Sequence, residues 1–295
     1  MSNIKNAKYS RISFIGGDLR LSYMIKELTN RGYDAAAYCV PQAGTFSRVT
    51  IVNSLQEALD YADVIVGPVP FSKTQLTINS AYEAKDLEIQ NFLTCLRPSH
   101  IIFGGAITPC IKRFCGVHSI KHVDFMEMDE VAVLNAIATA EGTIAEAIMR
   151  SQINLCNSTC LVLGYGKCGS VLAAKLKGLD AKVTVCARRK IVLAQAKTAG
   201  FDTLPFECMP NSLSEFSFIF NTIPAQYFDE SLLKEVSVDA TLIDISSNPG
   251  CFDTDAASKL GLKTELCLGL PGKYAPKSSA GILTDALVAK LESLS

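Results

Sequence analysis

The fold of this chain is decided by residues 161–190, LVLGYGKCGSVLAAKLKGLDAKVTVCARRK. An apolar run leads into a glycine-rich turn, then into a segment with helical spacing, then into a second apolar run that ends in three consecutive cations. This order predicts a strand, a turn, a helix and a second, parallel strand. The turn has the spacing G-x-G-x-x-G, which is typical of dinucleotide-binding units.

Each glycine of this turn has its own physical role in such a unit. The first permits the tight turn, the second lets the backbone approach a pyrophosphate, and the third lets the helix pack closely against the strand. Free N–H groups at the start of the helix favour bound phosphate. We therefore predict a dinucleotide site, with a purely structural turn as the alternative, at Gly164, Tyr165, Gly166, Lys167, Cys168 and Gly169.

The end of the second apolar run predicts which dinucleotide is bound. An NAD site usually carries Asp or Glu here to accept a hydrogen bond from the ribose. This chain has no acid from Ala181 to Lys190, and it places Arg188 and Arg189 next to that lysine. The cations favour the 2′-phosphate of NADP, although NAD remains possible, and the alternative is a solvated basic surface.

The alternation of apolar runs and helical segments extends over both halves of the chain. The runs are RISFIGG, YDAAAYCV, ADVIVGPVP, HIIFGGAI and HVDFMEM in the first half, and CLVLGYG, AKVTVCA, FSFIFNTIP, ATLIDISS and KTELCLG in the second. Strands that alternate with helices form parallel sheets with right-handed crossovers. We predict an α/β protein with two Rossmann-like, doubly wound parallel-sheet domains, joined by a long bridging helix over residues 130–152.

The repeated pattern also predicts the domain boundaries. Residues 1–140 are expected to form an N-terminal Rossmann-like substrate or catalytic domain, and residues 141–278 the NAD(P)-binding Rossmann domain. A C-terminal helix over residues 279–295 is followed by no strand, so we expect it to pack back on the first domain.

Composition excludes several classes of partner. The chain has 295 residues, 48% of them hydrophobic, and a net charge of −1, so it supports a large core and shows no excess of basic charge for nucleic acid or a membrane surface. The N-terminus is polar, and no run of 18 apolar residues predicts a membrane span. The 11 cysteines are scattered without a Cys-x-x-Cys pair, so we expect reduced thiols in a cytoplasmic protein and no metal site.

Two loops in the second half follow predicted strands, at the edge where open sheets bind ligands. The first is NTIP and the second is DISSNPG. We predict that they hold the nicotinamide ribose and carboxamide, with plain loop structure as the alternative. The residues concerned are Asn221, Thr222, Ile223, Pro224, Asp244 and Ser246.

Several motifs, spread over nearly the whole chain, resemble one family in their order and content. They are FIGGDLR, VPFSK, AEGTIAEAI, LGYGKCGSVLAAKLKGLDAKVTVCARR, FNTIPA, LIDISSNPGCFD and LGLPGKYAPKSSAGIL. The chain thereby resembles the dipicolinate synthase A-subunit family. Two positions depart from the expected pattern: Cys168 lies inside the glycine turn, where a small or polar residue is expected, and Cys251 replaces a second glycine after NPG.

The resemblance implies an NAD(P)-dependent oxidoreductase that works with a smaller, flavoprotein-like protein, the dipicolinate synthase B-subunit. Together the two would oxidise a dihydrodipicolinate-type intermediate of the lysine pathway to pyridine-2,6-dicarboxylate. The implied location is the cytoplasm of the mother cell in a sporulating bacterium, and we expect a homo-oligomer.

A dicarboxylate substrate requires cations, and three residues are candidates. Arg20 follows the first predicted strand; either it anchors a carboxylate, or the turn serves only to let Asp18 cap the next helix. Lys273 and Lys277 lie in PGKYAPK, which we predict to be a loop with two prolines after the last strand. The alternative for both lysines is an exposed, solubilising charge.

Removal of a proton from the substrate requires a base, and Glu141 is the first candidate, with Glu127 and Asp129 just upstream. It lies on the predicted bridging helix beside Gly142, which could let substrate or cofactor approach closely. A carboxylate in a desolvated cleft can have a raised pKa and accept a proton. The alternative is an acid on the helix surface.

Two other functions compete with this one. A 2-hydroxyacid dehydrogenase has a similar plan but places a histidine base late in its nucleotide domain, whereas the three histidines here, His100, His118 and His122, all precede the glycine turn. They are better explained as surface or packing residues. A non-catalytic NADP-binding protein with a regulatory or scaffold role would need the glycine turn and the basic cluster at Arg188 and Arg189. It would need neither Glu141 nor the candidate substrate cations.

Overall fold

The computed structural model describes residues 9–294 of the chain. These residues form two compact units. The first unit contains the described residues up to Ala132 together with those from Ala275 onward, and the second unit is Val133–Tyr274. The boundary lies inside one long helix, between residues 132 and 133 rather than between 140 and 141.

The first unit contains a six-stranded parallel sheet with the order β3-β2-β1-β4-β5-β6. The order reverses between β1 and β4, because the chain runs outward to β3 and then returns past β1. Its strands are β1 (Arg11–Ile15), β2 (Asp34–Tyr38), β3 (Val49–Ile51), β4 (Val64–Val66), β5 (Ile101–Gly104) and β6 (Lys121–Asp124). Its first helices are α1 (Leu19–Asn30), α2 (Leu55–Tyr61), α3 (Ile89–Cys95) and α4 (Pro109–Val117), with 3₁₀ turns at Ala43–Thr45, Lys85–Leu87 and Phe125–Glu127.

The second unit repeats this plan after the long helix α5 (Asp129–Arg150), which contains the boundary between the units. Its parallel sheet has the order β12-β11-β10-β7-β8-β9 and reverses between β7 and β10. The strands are β7 (Thr159–Leu163), β8 (Lys182–Ala187), β9 (Asp202–Pro205), β10 (Phe218–Asn221), β11 (Thr241–Asp244) and β12 (Lys263–Leu266). The helices are α6 (Lys167–Gly178), α7 (Lys190–Thr198), α8 (Glu230–Leu233), α9 (Thr254–Lys259) and α10 (Leu270–Tyr274), with a 3₁₀ segment at Phe206–Glu215.

The predicted fold class is confirmed: each unit is a six-stranded parallel sheet with helices on its faces. Two strands, β3 and β9, were not predicted, and both are outermost in their sheets. The side chains of β3 are partly or fully exposed, and β9 ends in a proline. Neither strand therefore has the continuous apolar run by which a buried parallel strand is recognised.

Both sheets are buried on both faces. Because side chains alternate along a strand, Phe14 of β1 packs in one core cluster of the first unit and Ile15 packs in the other. Val162 and Leu163 of β7 do the same in the second unit. This double burial explains why the inner strands are almost entirely apolar in sequence.

The C-terminal helix α11 (Pro276–Leu294) packs against α1 of the first unit. Ala280, Leu283 and Leu287 are buried in the same core cluster as Leu21. The helix begins at Pro276, three residues before the predicted position, because proline is compatible with the first turn of a helix, where an N–H group would have no partner.

The prediction that PGKYAPK forms a loop is wrong, because proline is compatible with the first turn of a helix. Lys273 lies in α10 and Lys277 lies in the first turn of α11. Pro271 and Pro276 each occupy the first turn of a helix rather than a loop. The two prolines therefore mark helix starts.

The described cysteines and histidines have packing or surface positions. All 11 cysteines are free thiols. His100 is fully buried; its Nδ1 accepts a hydrogen bond of 3.0 Å from the N–H of Arg97, and its Nε2 lies 3.0 Å from the carbonyl oxygen of Leu59. Burial and the charge of Arg97 lower the pKa of His100 below its ordinary 6.5, which favours the neutral ring.

Helix α5 is the one helix within residues 9–294 that is long and apolar enough to span a membrane by length and composition alone. Half of its apolar window is buried inside the protein. A core helix of a globular protein meets the same two criteria, so the feature is weak evidence for a membrane span.

Candidate active site

Two glycines of the turn after β7 are required by the packing of the protein itself. Gly164 has a φ of +92°, which favours glycine, and a Cβ added there would lie 2.6 Å from Oγ1 of Thr222. A Cβ on Gly169 would lie 2.3 Å from the carbonyl oxygen of Gly164. The turn and the close approach of α6 to β7 therefore exclude any side chain at these two positions.

Gly166 is different, because nothing in the protein requires a glycine there. Its φ is −88°, which any residue can adopt, and a Cβ added there would meet no described atom within 4 Å. It caps the N-terminus of α6, a helix of 12 residues, and is exposed. Open space in front of a helix N-terminus fits a pyrophosphate that must approach the backbone.

The remaining residues of the turn surround this space. The ring of Tyr165 packs edge-on against Phe201, with 5.9 Å between the ring centres. Lys167 is exposed at the start of α6. Burial raises the pKa of the half-buried Cys168 thiol, so this cysteine is a packing residue and not an activated nucleophile.

Asn221 and Asp244, which end β10 and β11, are buried and engaged within the protein. The side-chain amide of Asn221 donates to Asp244 at 2.8 Å and to the carbonyl oxygen of Ile223 at 3.0 Å. Asp244 also accepts from the N–H groups of Ser246 at 2.8 Å and Cys251 at 2.6 Å. These two side chains therefore shape the loops, and a bound nucleotide would meet other atoms of the loops.

Those other atoms belong to residues 222–224 and to the loop after β11. Thr222 donates from Oγ1 to the carbonyl oxygen of Leu163 at 2.8 Å, which ties the first loop to the end of β7. Ile223 is half-buried and Pro224 is exposed, whereas Ser246 is buried. Thr222 also faces the Gly164 turn, so the first loop borders the open space at Gly166.

The cations after β8 are exposed and held differently from each other. The guanidinium of Arg188 lies over the ring of Phe206, 4.7 Å from its centre. Arg189 occupies the cap position of α7, a helix of nine residues. Within residues 9–294, no hydrogen bond or ion pair engages the side chain of Arg189. The two exposed arginine side chains are therefore suited to bind an anion at the end of β8.

Arg20 lies at the start of α1 and is engaged within the first unit. Asp18 caps α1 by accepting from the N–H of Arg20 at 2.9 Å, which agrees with the capping alternative. Arg20 is only 5% exposed; its guanidinium pairs with Asp18 at 2.7 Å and donates to the carbonyl oxygen of Val69. Arg20 therefore connects two loops, and only part of its guanidinium remains for a ligand.

Glu141 lies on the surface of α5 and not in a desolvated position. Its side chain is 57% exposed and pairs with Lys175 at 2.8 Å. The neighbouring Gly142 accommodates the protein itself, since a Cβ there would lie 2.9 Å from the ring of Tyr274 and 3.0 Å from Leu270. The close approach expected at Gly142 is therefore made by helix α10.

The buried carboxylate of this region is Glu146, which sequence reasoning missed. Its side chain is 2% exposed and accepts from Lys273 at 2.5 Å, from the Tyr274 hydroxyl at 2.7 Å and from Arg150. Burial raises the pKa of Glu146, but the bonds from Lys273 and Tyr274 outweigh burial and lower it below 4.5. The sequence held one indication of this buried carboxylate: Glu146 follows Gly142 by four residues, which places both on the same face of the helix.

The two lysine candidates therefore differ. Lys273 is 59% exposed, and its ammonium pairs with Glu146, so its charge is largely compensated. The hydrogen bond to Glu146 raises the pKa of Lys273 above its ordinary 10.5. Lys277 is exposed in the first turn of α11, which belongs to the first unit.

A cavity of about 290 Å³ in the first unit lies away from these residues. It is lined by Arg11, Asp60 and Asp63 among others, at the starts of β1 and β4. Ligands of open parallel sheets bind at the opposite, carboxyl edge. Residues 9–294 contain no group of three or more His, Cys, Asp or Glu side chains that could hold a metal ion.

Comparisons with known proteins agree with the sequence motifs. Residues 11–126 match the family model of the N-terminal domain of the dipicolinate synthase A-subunit. The chain is 28% identical over 279 residues to the dipicolinate synthase A-subunit of Bacillus subtilis (strain 168), covering 94% of each chain. These matches confirm the resemblance that the motifs indicate.

Solved structures support the same likeness. The crystal structure of the dipicolinate synthase A-subunit from Bacillus halodurans aligns with a TM-score of 0.88 at 28% identity, over 97% of this chain and 99% of that one. An L-alanine dehydrogenase aligns with a TM-score of 0.64 at 12% identity, over 96% of this chain and 90% of that one. The second likeness is one of fold alone.

Proposed function

We propose that the chain belongs to the dipicolinate synthase A-subunit family, which it resembles over nearly its whole length, and that it oxidises a dihydrodipicolinate-type intermediate to pyridine-2,6-dicarboxylate. The observation that carries this proposal is the open space at Gly166, where the protein leaves room for a pyrophosphate at the N-terminus of α6. We propose NADP as the cofactor, with NAD as the alternative, because exposed arginines follow β8.

Aromatisation of a dihydropyridine removes one hydride and one proton. A bound nicotinamide would accept the hydride and leave as the reduced cofactor. The second unit would hold the cofactor through the glycine turn, residues 222–224 and the loop after β11. The first unit would supply cationic groups for the substrate carboxylates, and the proton would pass to a base or to water.

Family membership also suggests the setting of this activity. We propose that the chain works with the smaller, flavoprotein-like B-subunit of dipicolinate synthase in the cytoplasm of a sporulating mother cell, and that it forms homo-oligomers. A 2-hydroxyacid dehydrogenase is a poorer alternative, since no histidine lies in the second unit, Val133–Tyr274.

Turnover is the measurement that tests the proposed function. The purified chain, alone and with the B-subunit, would be incubated with the dihydrodipicolinate intermediate and NADP, and reduced cofactor and pyridine-2,6-dicarboxylate would be measured together. Equal amounts of the two products support the proposal. Binding of NADP without formation of either product in both mixtures would favour the alternative of a regulatory or scaffold protein.

The exposed ion pair of Glu141 leads to a specific expectation for catalysis. We expect Glu141→Gln to change turnover by less than about twofold, because a surface acid paired with Lys175 lacks the desolvation that tunes a general base. Turnover of this variant would be compared with that of Glu130→Gln, a change at another exposed acid of α5. A loss on the order of 100-fold confined to Glu141→Gln would instead identify Glu141 as the base.

A further inference from the structure

The strand order of the first unit reverses between β1 and β4, the place where an open parallel sheet forms a crevice. In open parallel sheets, ligands bind outside the carboxyl ends of the strands at such a reversal. Two loops border the crevice: residues 16–18, which follow β1, and residues 67–73, which follow β4. The second loop ends in VPFSK, one of the family motifs, for which no residue role has yet been given.

This second loop is fixed by packing at its centre. The ring of Phe71 is fully buried and occupies the space that two glycines leave free, since a Cβ would lie 2.3 Å from it at Gly67 and 2.5 Å from it at Gly104. The N–H of Phe71 donates to the carbonyl oxygen of Gly105 at 2.6 Å. The position of the next few residues is therefore determined by the sheet.

Arg20 connects this loop to the first one. It pairs with Asp18 and donates to the carbonyl oxygen of Val69, so one buried guanidinium joins the ends of β1 and β4. Most of its donors are used inside the protein, which suits a residue that positions the loop. A ligand in the crevice would need a further cation.

Lys73 is that cation. It is exposed, and no hydrogen bond or ion pair to another described residue engages its ammonium. Burial raises the pKa of Asp18, but Arg20 and, more weakly, Lys73 bring it below 3.8, so the Lys73 charge acts on the Asp18 carboxylate of the first loop. The side-chain amide of Asn79 is likewise without a hydrogen-bond partner within residues 9–294, and the Asn79 carbonyl oxygen accepts from Gly17 at 2.8 Å.

We propose that Lys73, with the amide of Asn79, binds one carboxylate of the dicarboxylate ligand in this crevice, and that Arg20 is a positioning residue for the loop. Asp18 does not oppose this, because its charge is paired with Arg20. The inference rests on the proposed function for the identity of the ligand, and it moves the role of carboxylate anchor from Arg20 to Lys73.

Calorimetric titration of the full chain with pyridine-2,6-dicarboxylate, at saturating NADP, tests the assignment without turnover. We expect Lys73→Ala to weaken binding about 10-fold or more, Lys73→Arg to restore most of the affinity, and added salt to weaken binding by the wild type more than by Lys73→Ala. The matched control is Lys26→Ala, which removes an exposed lysine of α1 in the same unit.

The possible failures are distinguishable. Equal affinities of wild type and Lys73→Ala for the dicarboxylate would overturn the role of Lys73 and leave the proposed function standing. No binding of the dicarboxylate by the wild type, although NADP binds, would overturn both the inference and the proposed substrate class. An equal loss in Lys26→Ala and Lys73→Ala would show a general effect of charge and also overturn the assignment.

Discussion

Gly166→Asp is expected to abolish nucleotide binding while the second unit stays folded. The position has a φ of −88° and no described atom within 4 Å of an added Cβ, so the protein itself tolerates a side chain there. A pyrophosphate at the N-terminus of α6 would instead meet both the added atoms and the negative charge. We expect the Kd for NADP to rise more than about 100-fold.

A matched control separates a local from a general effect. Gly178→Asp introduces the same side chain at the other end of α6, where an added Cβ also meets nothing within 4 Å. Calorimetric titration with NADP and thermal unfolding would be measured for both variants. Both should unfold near the wild-type temperature, and only Gly166→Asp should lose NADP.

Two results would contradict this expectation in different ways. Wild-type affinity in a folded Gly166→Asp protein would remove the glycine turn from the nucleotide site. Gly169→Ala gives a useful contrast, because its Cβ would lie 2.3 Å from the Gly164 carbonyl oxygen. That variant should lose stability as well as binding, as expected of a glycine that the fold itself requires; wild-type stability there would contradict the packing argument.

The second large effect concerns the choice between cofactors. We expect the wild type to bind NADP about 10- to 100-fold more tightly than NAD, because a charge-assisted hydrogen bond from arginine to phosphate contributes about 1.5–3 kcal/mol. Arg188 and Arg189 are both exposed after β8, and no acid from residue 181 to residue 190 repels a 2′-phosphate. The variant Arg188→Ala/Arg189→Ala should lose this preference and keep its affinity for NAD.

The Kd values of both cofactors, measured for wild type, the double variant and Lys197→Ala, decide the question. Lys197 is an exposed cation at the other end of α7, so its removal controls for the overall charge of the unit. The preference should also shrink as salt is added, because exposed charges are screened. Equal wild-type affinities, or an NADP preference that survives in the double variant, would show that the arginines form only a solvated strand end.

The two single arginine variants would add detail. Arg188 lies over the ring of Phe206, whereas no hydrogen bond or ion pair holds the side chain of Arg189 among the residues described. Arg189 can therefore turn to a phosphate without giving up a contact within the protein. We expect Arg189→Ala to account for the larger part of the loss in the double variant.

Much of the fold could be predicted from the sequence, because its evidence is local. The inner strands are buried on both faces, so each is a continuous apolar run that needs no knowledge of its neighbours. Strands β3 and β9 lack such runs, since the side chains of β3 are partly or fully exposed and β9 begins with an exposed acid and ends in a proline. Their residues become strands through pairing with β2 and β8, and that pairing is visible only in the folded sheet.

The candidate site divides in the same way. The three glycines of the turn could be assigned from their spacing, and the structure adds that the fold requires Gly164 and Gly169, whereas Gly166 faces open space. The charged residues could not be assigned reliably. Glu141 and Glu146 lie on one helix five positions apart, yet one is 57% exposed and the other 2% exposed.

The sequence by itself determined the class of fold, the position of the glycine turn and the cations after β8, because each follows from the order and spacing of nearby residues. Only the tertiary structure decided which charges remain available to a ligand. Glu146 is compensated by Lys273, and Arg20 by Asp18 and the Val69 carbonyl oxygen. The physical reason is that the two partners Lys273 and Val69 are distant along the chain, and a side chain's charge is free only where no folded neighbour lies within hydrogen-bonding distance.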